Sequence, residues 1–218
     1  MIEIRHLEKK YSGKAVLHDI NCSFDKGQVY GFMGENGAGK STLFRCLMRI
    51  EKFDGEVNAD ADISIGYLDD TPYFYSFVTG KEYIEFCLKA KQIPVDKDKI
   101  EELNAKLQLP LHRYASNYSL GMKKRLVLMA LMLENNNFNV MDEPFNGLDL
   151  AGTIILKQWI QQVRTENKTI VLSSHIISSL TDICDDIAYI HAGCIVNHYQ
   201  HKSADEIEAD ITEKYLKL

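Results

Sequence analysis

The spacing of apolar positions changes twice along this chain and divides it into three stretches. In the first, residues 16–24 alternate imperfectly between apolar and polar side chains, Asp25-Lys26-Gly27 has turn composition, and residues 29–33 form an apolar β-run. A glycine-rich loop follows and leads into a helix expected over 40–50. A turn at Asp54-Gly55 then precedes a strand over 63–68. In the second stretch, 69–137, the spacing becomes helical. Thr79 is placed to cap a helix ending at Ala90, residues 100–107 carry helical apolar spacing, and Ser119 is placed to cap a helix ending near Glu134. The apolar run 126–133 covers every face of that last helix, which predicts burial rather than an amphipathic surface position.

After Asn135-Asn136-Asn137 the third stretch alternates strand and helix: strand 138–141, helix 150–165, strand 169–173, helix 176–185. Residues 187–199 read as a hairpin turning at Ala192-Gly193, and 203–218 as a final amphipathic helix. Strands alternating with helices predict an α/β fold with a mainly parallel sheet covered on both faces. The expected organisation is one domain over 1–218. Residues 1–68 and 138–218 form its core, with an antiparallel β region at the N-terminal end, and 69–137 form an inserted helical subdomain.

Composition narrows the function. The 218 residues are 45% hydrophobic and 26% charged, with 25 Lys+Arg against 31 Asp+Glu and a net charge of −6. An acidic balance argues against coating nucleic acid by bulk charge, so no nucleic-acid partner is expected. The longest uninterrupted apolar run, 126–133, is far short of the roughly 20 residues that a membrane span needs. No basic segment precedes an apolar one at the start, so no secretory signal is expected. Cys22, Cys46, Cys87, Cys184 and Cys194 are scattered without a C-x-x-C and read as thiols of a reducing compartment. His198 and His201 lack nearby residues to complete a metal shell and read as solvated tail residues.

The candidate chemistry begins at Gly34-Glu35-Asn36-Gly37-Ala38-Gly39-Lys40-Ser41-Thr42, which fits G-x-x-x-x-G-K-[ST] between a strand and a helix. Glycines let the backbone turn successive N–H groups toward phosphate oxygens, and the following helix adds its positive end. Lys40 is expected to reach the β- and γ-phosphates, Ser41 to bind Mg²⁺, and Thr42 to add a bond to phosphate. Asp142 and Glu143, ending an apolar strand, supply a metal carboxylate and a group aimed at the attacking water.

The segment Tyr118-Ser119-Leu120-Gly121-Met122-Lys123-Lys124-Arg125 resembles the signature motif of the ATP-binding cassette (ABC) family. Asn146-Gly147-Leu148-Asp149 resembles that family's D-loop, His175 its switch histidine, and Tyr11 its adenine-stacking aromatic. The resemblance runs over nearly the whole chain and implies a P-loop NTPase of ABC ATPase type, with ATP and Mg²⁺ as cofactors. It further implies a head-to-tail dimer, either of this chain with itself or with a paired ABC ATPase subunit. Each ATP would then lie between one phosphate loop and the other protomer's Ser119 and Gly121, with separate transmembrane transporter subunits as partners. The implied location is peripheral, on the cytoplasmic face of the membrane, and the short Gly-Met-Lys form of the motif resembles exporters. A soluble relative working on nucleic acid or ribosomes would fuse two cassettes or insert coiled coils, whereas this chain has one motif set and no heptad run.

Some positions depart from the family's pattern. Tyr118, Leu120 and Met122 surround the retained Ser119 and Gly121. Asp70 stands where the family's Q-loop has Gln or Glu, which implies a metal contact at Asp70 that its shorter side chain would make through water. Six acids without a Lys or Arg lie from Asp54 to Asp70, and this charge is expected to crowd the approach to that loop. Tyr73, Phe74, Tyr75 and Phe77 follow, as core packing or as a surface for the membrane partner.

Overall fold

The computed structural model describes residues 1–215. Its centre is a six-stranded sheet in the order β5-β6-β7-β3-β8-β9. These strands are β3 (Val29–Met33), β5 (Ile65–Leu68), β6 (Phe138–Met141), β7 (Thr169–Ser173), β8 (Asp186–His191) and β9 (Cys194–Tyr199). All neighbours run parallel except β8 and β9, which form the hairpin. Every residue of β6 and β7 is buried, as expected for strands covered on both faces, so neither alternates with solvent-facing positions and the polar Asn139, Thr169 and Ser173 are enclosed with the apolar ones. A separate antiparallel sheet, β2-β1-β4, comprises β1 (Ile2–Tyr11), β2 (Lys14–Phe24) and β4 (Asp54–Ala59).

Each face of the parallel sheet carries its own core. Toward the antiparallel sheet and α1 (Lys40–Leu47), Phe24 packs edge-on against Phe32 and Phe138, and Phe32 against Phe44. Each such ring removes enough apolar surface from water to contribute about 1.5–3 kcal/mol. The other face packs on α5 (Leu150–Thr165) and on the helical block α2 (Gly80–Ala90), α3 (Lys97–Leu107) and α4 (Leu120–Glu134). Start signals in the sequence become caps. Thr79 and Glu82 form a capping box on α2, and Ser119 and Asp149 cap α4 and α5. The unbroken apolar run of α4 is buried from Leu126 to Leu131.

Several expected elements differ. Asp54-Gly55 opens strand β4 rather than a turn; Gly55 sits beside a register shift between Arg5 and Glu8, and its missing Cβ lets it lie against the His6 carbonyl. The helix expected over 176–185 is only the short α6 (Ile177–Thr181). Asp185 is drawn to the sheet, its N–H donating to the Val29 carbonyl at 2.8 Å and its carboxylate accepting from Val29 N–H at 2.9 Å. α1 ends at Leu47, where Arg49 adopts a left-handed φ of 56° and the Ile50 amide closes back on Arg45. The last helix, α7 (Ala204–Lys214), starts from the Ser203–Glu206 capping box; residues 216–218 of the expected helix lie outside the described residues. The acids of 54–70 also spread out. Asp54 and Glu56 lie on β4, Asp60 pairs with the N-terminal ammonium, and Asp69 pairs with Arg45.

His198 is not in a tail. It sits on β9, with Nδ1 2.9 Å from the Asp186 carboxylate of β8. That hydrogen bond, opposed by burial, raises its pKa above the ordinary 6.5. A raised histidine pKa contributes stability that is whole below the ordinary value and is lost as pH rises through the folded one. The parent chain should therefore lose more melting temperature than His198→Gln between about pH 6 and 8, by a fraction of a kcal/mol because the pair is half exposed. Thermal melts at the two pH values measure this.

Candidate nucleotide site

The loop after β3 enters the middle of the parallel sheet at the strands' carboxyl end, the edge where α/β folds place ligands. Its turn depends on Gly39, which has a φ of 114° and whose absent Cβ would lie 2.6 Å from Leu17. Gly39 precedes α1 with no side-chain cap, so the first amides of the helix are not claimed by a capping residue. Lys40 folds over this loop, its Nζ donating to the carbonyls of Gly34 at 2.7 Å and Glu35 at 3.2 Å. Burial pulls the Lys40 pKa down, and the nearby Glu143 and Asp142 carboxylates oppose that shift. A cleft of about 640 Å³ opens over the loop and is lined by Tyr11, Asn36, Gly37, Gly39, Lys40, Ser41, Thr42, Asp70, Glu143 and His175, among others. Sequence-distant candidates are thus brought together. Ala38 is buried beneath the loop, its carbonyl accepting from Gly193 N–H at 3.1 Å.

Asp142 directly follows β6 and is 1% exposed. Its Oδ1 accepts from the Ser173 hydroxyl at 2.6 Å, while its Oδ2 has no hydrogen-bond partner. Burial pushes this carboxyl up, and Ser173 and nearby Ser41 hold it down. A buried carboxylate oxygen without a partner beside a serine hydroxyl suits a hard, oxygen-seeking cation such as Mg²⁺. Among the described residues no group of three or more His, Cys, Asp or Glu could hold a metal, so phosphate oxygens would have to complete the shell. Asp142→Asn removes the desolvated charge. Metal-free protein should gain about 2–4 °C in melting temperature, the shift given by ~1 kcal/mol in a domain of this size, while Mg²⁺-dependent stabilisation by ATP should be lost. Paired melts with and without Mg²⁺–ATP measure both.

Glu143 adopts a left-handed φ of 46°, unusual for a residue other than glycine. Its backbone is held on both sides: its N–H donates to Ser173 Oγ at 2.8 Å, and its carbonyl accepts from Lys124 Nζ at 2.6 Å. Its carboxylate Oε2 lies 2.9 Å from His175 Nδ1. An ionised carboxylate can only accept, so Nδ1 carries the hydrogen and Nε2 is left for another ligand. Tyr11, 39% exposed at the end of β1, lines the cleft with Lys9 Nζ 4.5 Å from its ring centre.

Other predicted residues lie apart from this cleft within one chain. Ser119 accepts from the Met122 amide at 3.3 Å as the cap of α4. Gly121 is pressed against the D-loop, where a Cβ would lie 2.2 Å from the Gly147 carbonyl. Asp149 Oδ1 accepts from Gly152 N–H at 2.8 Å. Asp70 does line the cleft, but its Oδ1 accepts from Lys124 Nζ at 3.0 Å. Sequence reasoning passed over Lys124 and Ser173. The signal for Lys124 was present, a lysine inside a helix expected to be buried on every face. Ser173 carried none, since a serine ending an apolar strand is commonplace.

This sheet order, phosphate loop and Asp-Glu strand end define a P-loop nucleotide-binding fold. Residues 17–146 match the ABC transporter family model. The chain belongs to the ABC transporter family, and it is an ATP-binding transporter subunit and an ATPase. It is 34% identical to the bacitracin transport ATP-binding protein BcrA of Enterococcus faecalis over 212 residues, 90% of this chain and 68% of BcrA. It is 30% identical to the lantibiotic transport ATP-binding protein SrtF of Streptococcus pyogenes over 95% of this chain and 94% of SrtF. Among solved structures, an ATP-binding subunit of an ABC transporter has a TM-score of 0.87 at 22% identity, covering 97% of this chain and 99% of that one. The ATP-binding cassette MJ0796, solved as a dimer in a post-hydrolysis state with ADP and Pi, has a TM-score of 0.82 at 20% identity, covering 93% and 100%. Among the described residues no helix is long and apolar enough to cross a membrane.

Proposed function

We propose that this chain hydrolyses ATP on the cytoplasmic face of a membrane and drives export through separate membrane-spanning subunits. It would do so as one half of a head-to-tail pair, with a second copy or a paired ATPase subunit as the other half. The observation that carries this reading is the cleft that gathers the Glu143–His175 pair with Lys40 and Ser41, next to Asp142 with its buried, unpartnered oxygen. Lys40 and the loop amides hold the β- and γ-phosphates, and Tyr11 stacks on adenine. Ser41 and Asp142 hold Mg²⁺, which when bound neutralises phosphate charge. Glu143 orients the attacking water and accepts its proton, while His175 Nε2 supports charge on the γ-phosphate. The work is positioning and electrostatics, as phosphoryl transfer requires.

Ser119, Gly121 and Asp149 lie outside the cleft of their own chain, which agrees with their serving the γ-phosphate of the opposite protomer. The exposed start of α4 offers that phosphate amides and a helix dipole. Residues 69–137 act as a subdomain whose movement links this surface to the membrane partner. Relatives named for bacitracin and lantibiotic transport favour a peptide-like cargo.

The aromatic cluster after residue 70 supports a docking role. Phe74 is buried on Tyr83, but Tyr73, Tyr75 and Phe77 are each more than two-thirds exposed. Tyr73 and Tyr75 pack edge to face at 5.5 Å, and Phe77 packs on Tyr114 at 5.6 Å, so neighbouring rings present a shared apolar surface. Co-purification of the native complex tests the proposal. Membrane subunits should accompany the parent chain and be lost from Tyr73→Ala/Tyr75→Ala, with ATP binding retained. A chain that carries no membrane subunit from its own host would refute the transporter reading, and unchanged assembly in the double variant would refute the docking surface.

A further inference from the structure

Lys124 is the one lysine of α4 enclosed in protein, 1% exposed, in a helix where every residue from Leu126 to Leu131 is buried and apolar. A buried ammonium costs several kcal/mol unless it is paired, so its partners indicate what holds it there. They are the Asp70 carboxylate at 3.0 Å and the Glu143 carbonyl at 2.6 Å. That carbonyl belongs to a residue in the left-handed region, beyond the last ladder pair of β6, and its other donor is the Asn146 N–H at 3.1 Å. We propose that Lys124 is a positioning residue. It holds the Glu143 peptide in its left-handed conformation and takes Asp70 as its counter-ion, so that Asp70 serves Glu143 through Lys124 and is not a metal ligand.

The consequence is a short mechanical line. Asp70 lies in the segment joining β5 to the helical block, Lys124 lies near the start of α4, and Glu143 lies two residues beyond β6. Displacing either the segment or α4 withdraws a hydrogen bond from the residue that faces the attacking water, while Lys40 and Ser41, on α1, are untouched. A loss of turnover without a loss of nucleotide affinity is the signature, because misplacing a catalytic group by about 1 Å can cost ~10²-fold. The proposal rests on the role given to Glu143 above.

The test compares Lys124→Gln, Lys124→Met, Asp70→Asn, the double variant Lys124→Gln/Asp70→Asn, Asp142→Asn and Glu143→Gln in the full chain. It measures kcat, ATP affinity, melting temperature, and Mn²⁺ bound with ATP by electron paramagnetic resonance. Lys124→Met should lower kcat by roughly 10–10²-fold with ATP and Mn²⁺ affinities at parent values. Lys124→Gln should lower it less, and the double variant, a neutral hydrogen-bonded pair, should recover more than half of that loss. Asp70→Asn should leave Mn²⁺ binding intact where Asp142→Asn weakens it. Weakened Mn²⁺ binding in Asp70→Asn would restore Asp70 as a metal ligand and overturn the proposal. So would Lys124 variants whose kcat stays at the parent value or falls only in step with melting temperature and ATP affinity. Glu143→Gln separates the two levels. If it is inactive while Lys124→Met is fully active, only the positioning role fails. If Glu143→Gln itself turns over at the parent rate, both fail.

Discussion

Glu143→Gln should lower ATP turnover by about 10²–10⁴-fold, the range contributed by a positioned general base, while ATP affinity stays near the parent value. The split follows from the geometry. The amide is nearly isosteric, its oxygen still accepts from His175 Nδ1, and the backbone bonds to Ser173 and Lys124 are unaffected. Lys40 and Ser41 lie on a different element, so the phosphate cradle is unchanged. What disappears is an anionic oxygen able to take the proton of the attacking water. Steady-state hydrolysis together with a binding isotherm for a fluorescent ATP analogue measures both halves of the prediction. Equal losses in kcat and affinity would mean that Glu143 shapes the pocket rather than the reaction.

Lys40→Met should show the opposite pattern. The ammonium is nearly enclosed, and desolvation depresses its pKa, so its charge is held in the free protein at a cost. Methionine fills a similar volume without that cost, and the nucleotide-free protein should melt at the same temperature or higher. ATP binding should weaken by roughly 10–150-fold, the equivalent of ~1.5–3 kcal/mol for a charged hydrogen bond to phosphate, and turnover should fall further still. Higher stability with lost function would mark Lys40 as a residue kept for its ligand. A destabilised Lys40→Met chain would instead make it a structural clasp on the Gly34 and Glu35 carbonyls.

How far the sequence carried these readings depended on the kind of information each feature needs. Strands β6 and β7 and helix α5 were legible to the residue, because fully buried strands and a side-chain-capped helix leave local signatures. The phosphate loop was legible for the same reason, since its glycines, lysine and serine are contiguous. The premature end of α6 was not legible, because Asp185 is pulled from the helix by Val29, more than 150 residues away. His198 looked like a tail residue because its partner, Asp186, is set by hairpin register. In the site, the strand-end Asp-Glu pair suggested Glu143 and the family resemblance suggested His175, but only the fold puts their side chains 2.9 Å apart. The aromatic run after Asp70 left two readings open, and the structure divides them, with Phe74 inside and its three neighbours outside. The place of Asp70 in the motif suggested a shortened metal ligand and gave no sign of its hydrogen bond to Lys124. The lysine that binds it sits 54 residues downstream.

The central claim is that one chain holds half of an ATPase, its Ser119 and Gly121 serving a phosphate held by another subunit's Lys40. Light scattering on the Glu143→Gln chain, which should bind ATP without consuming it, tests this most directly. The account predicts that ATP, but not ADP, doubles the mass from 24.9 kDa, and that adding Ser119→Arg returns the ATP-bound protein to the single-chain mass. A chain saturated with ATP that stays at the single-chain mass, or a dimer indifferent to both ATP and Ser119, would contradict it.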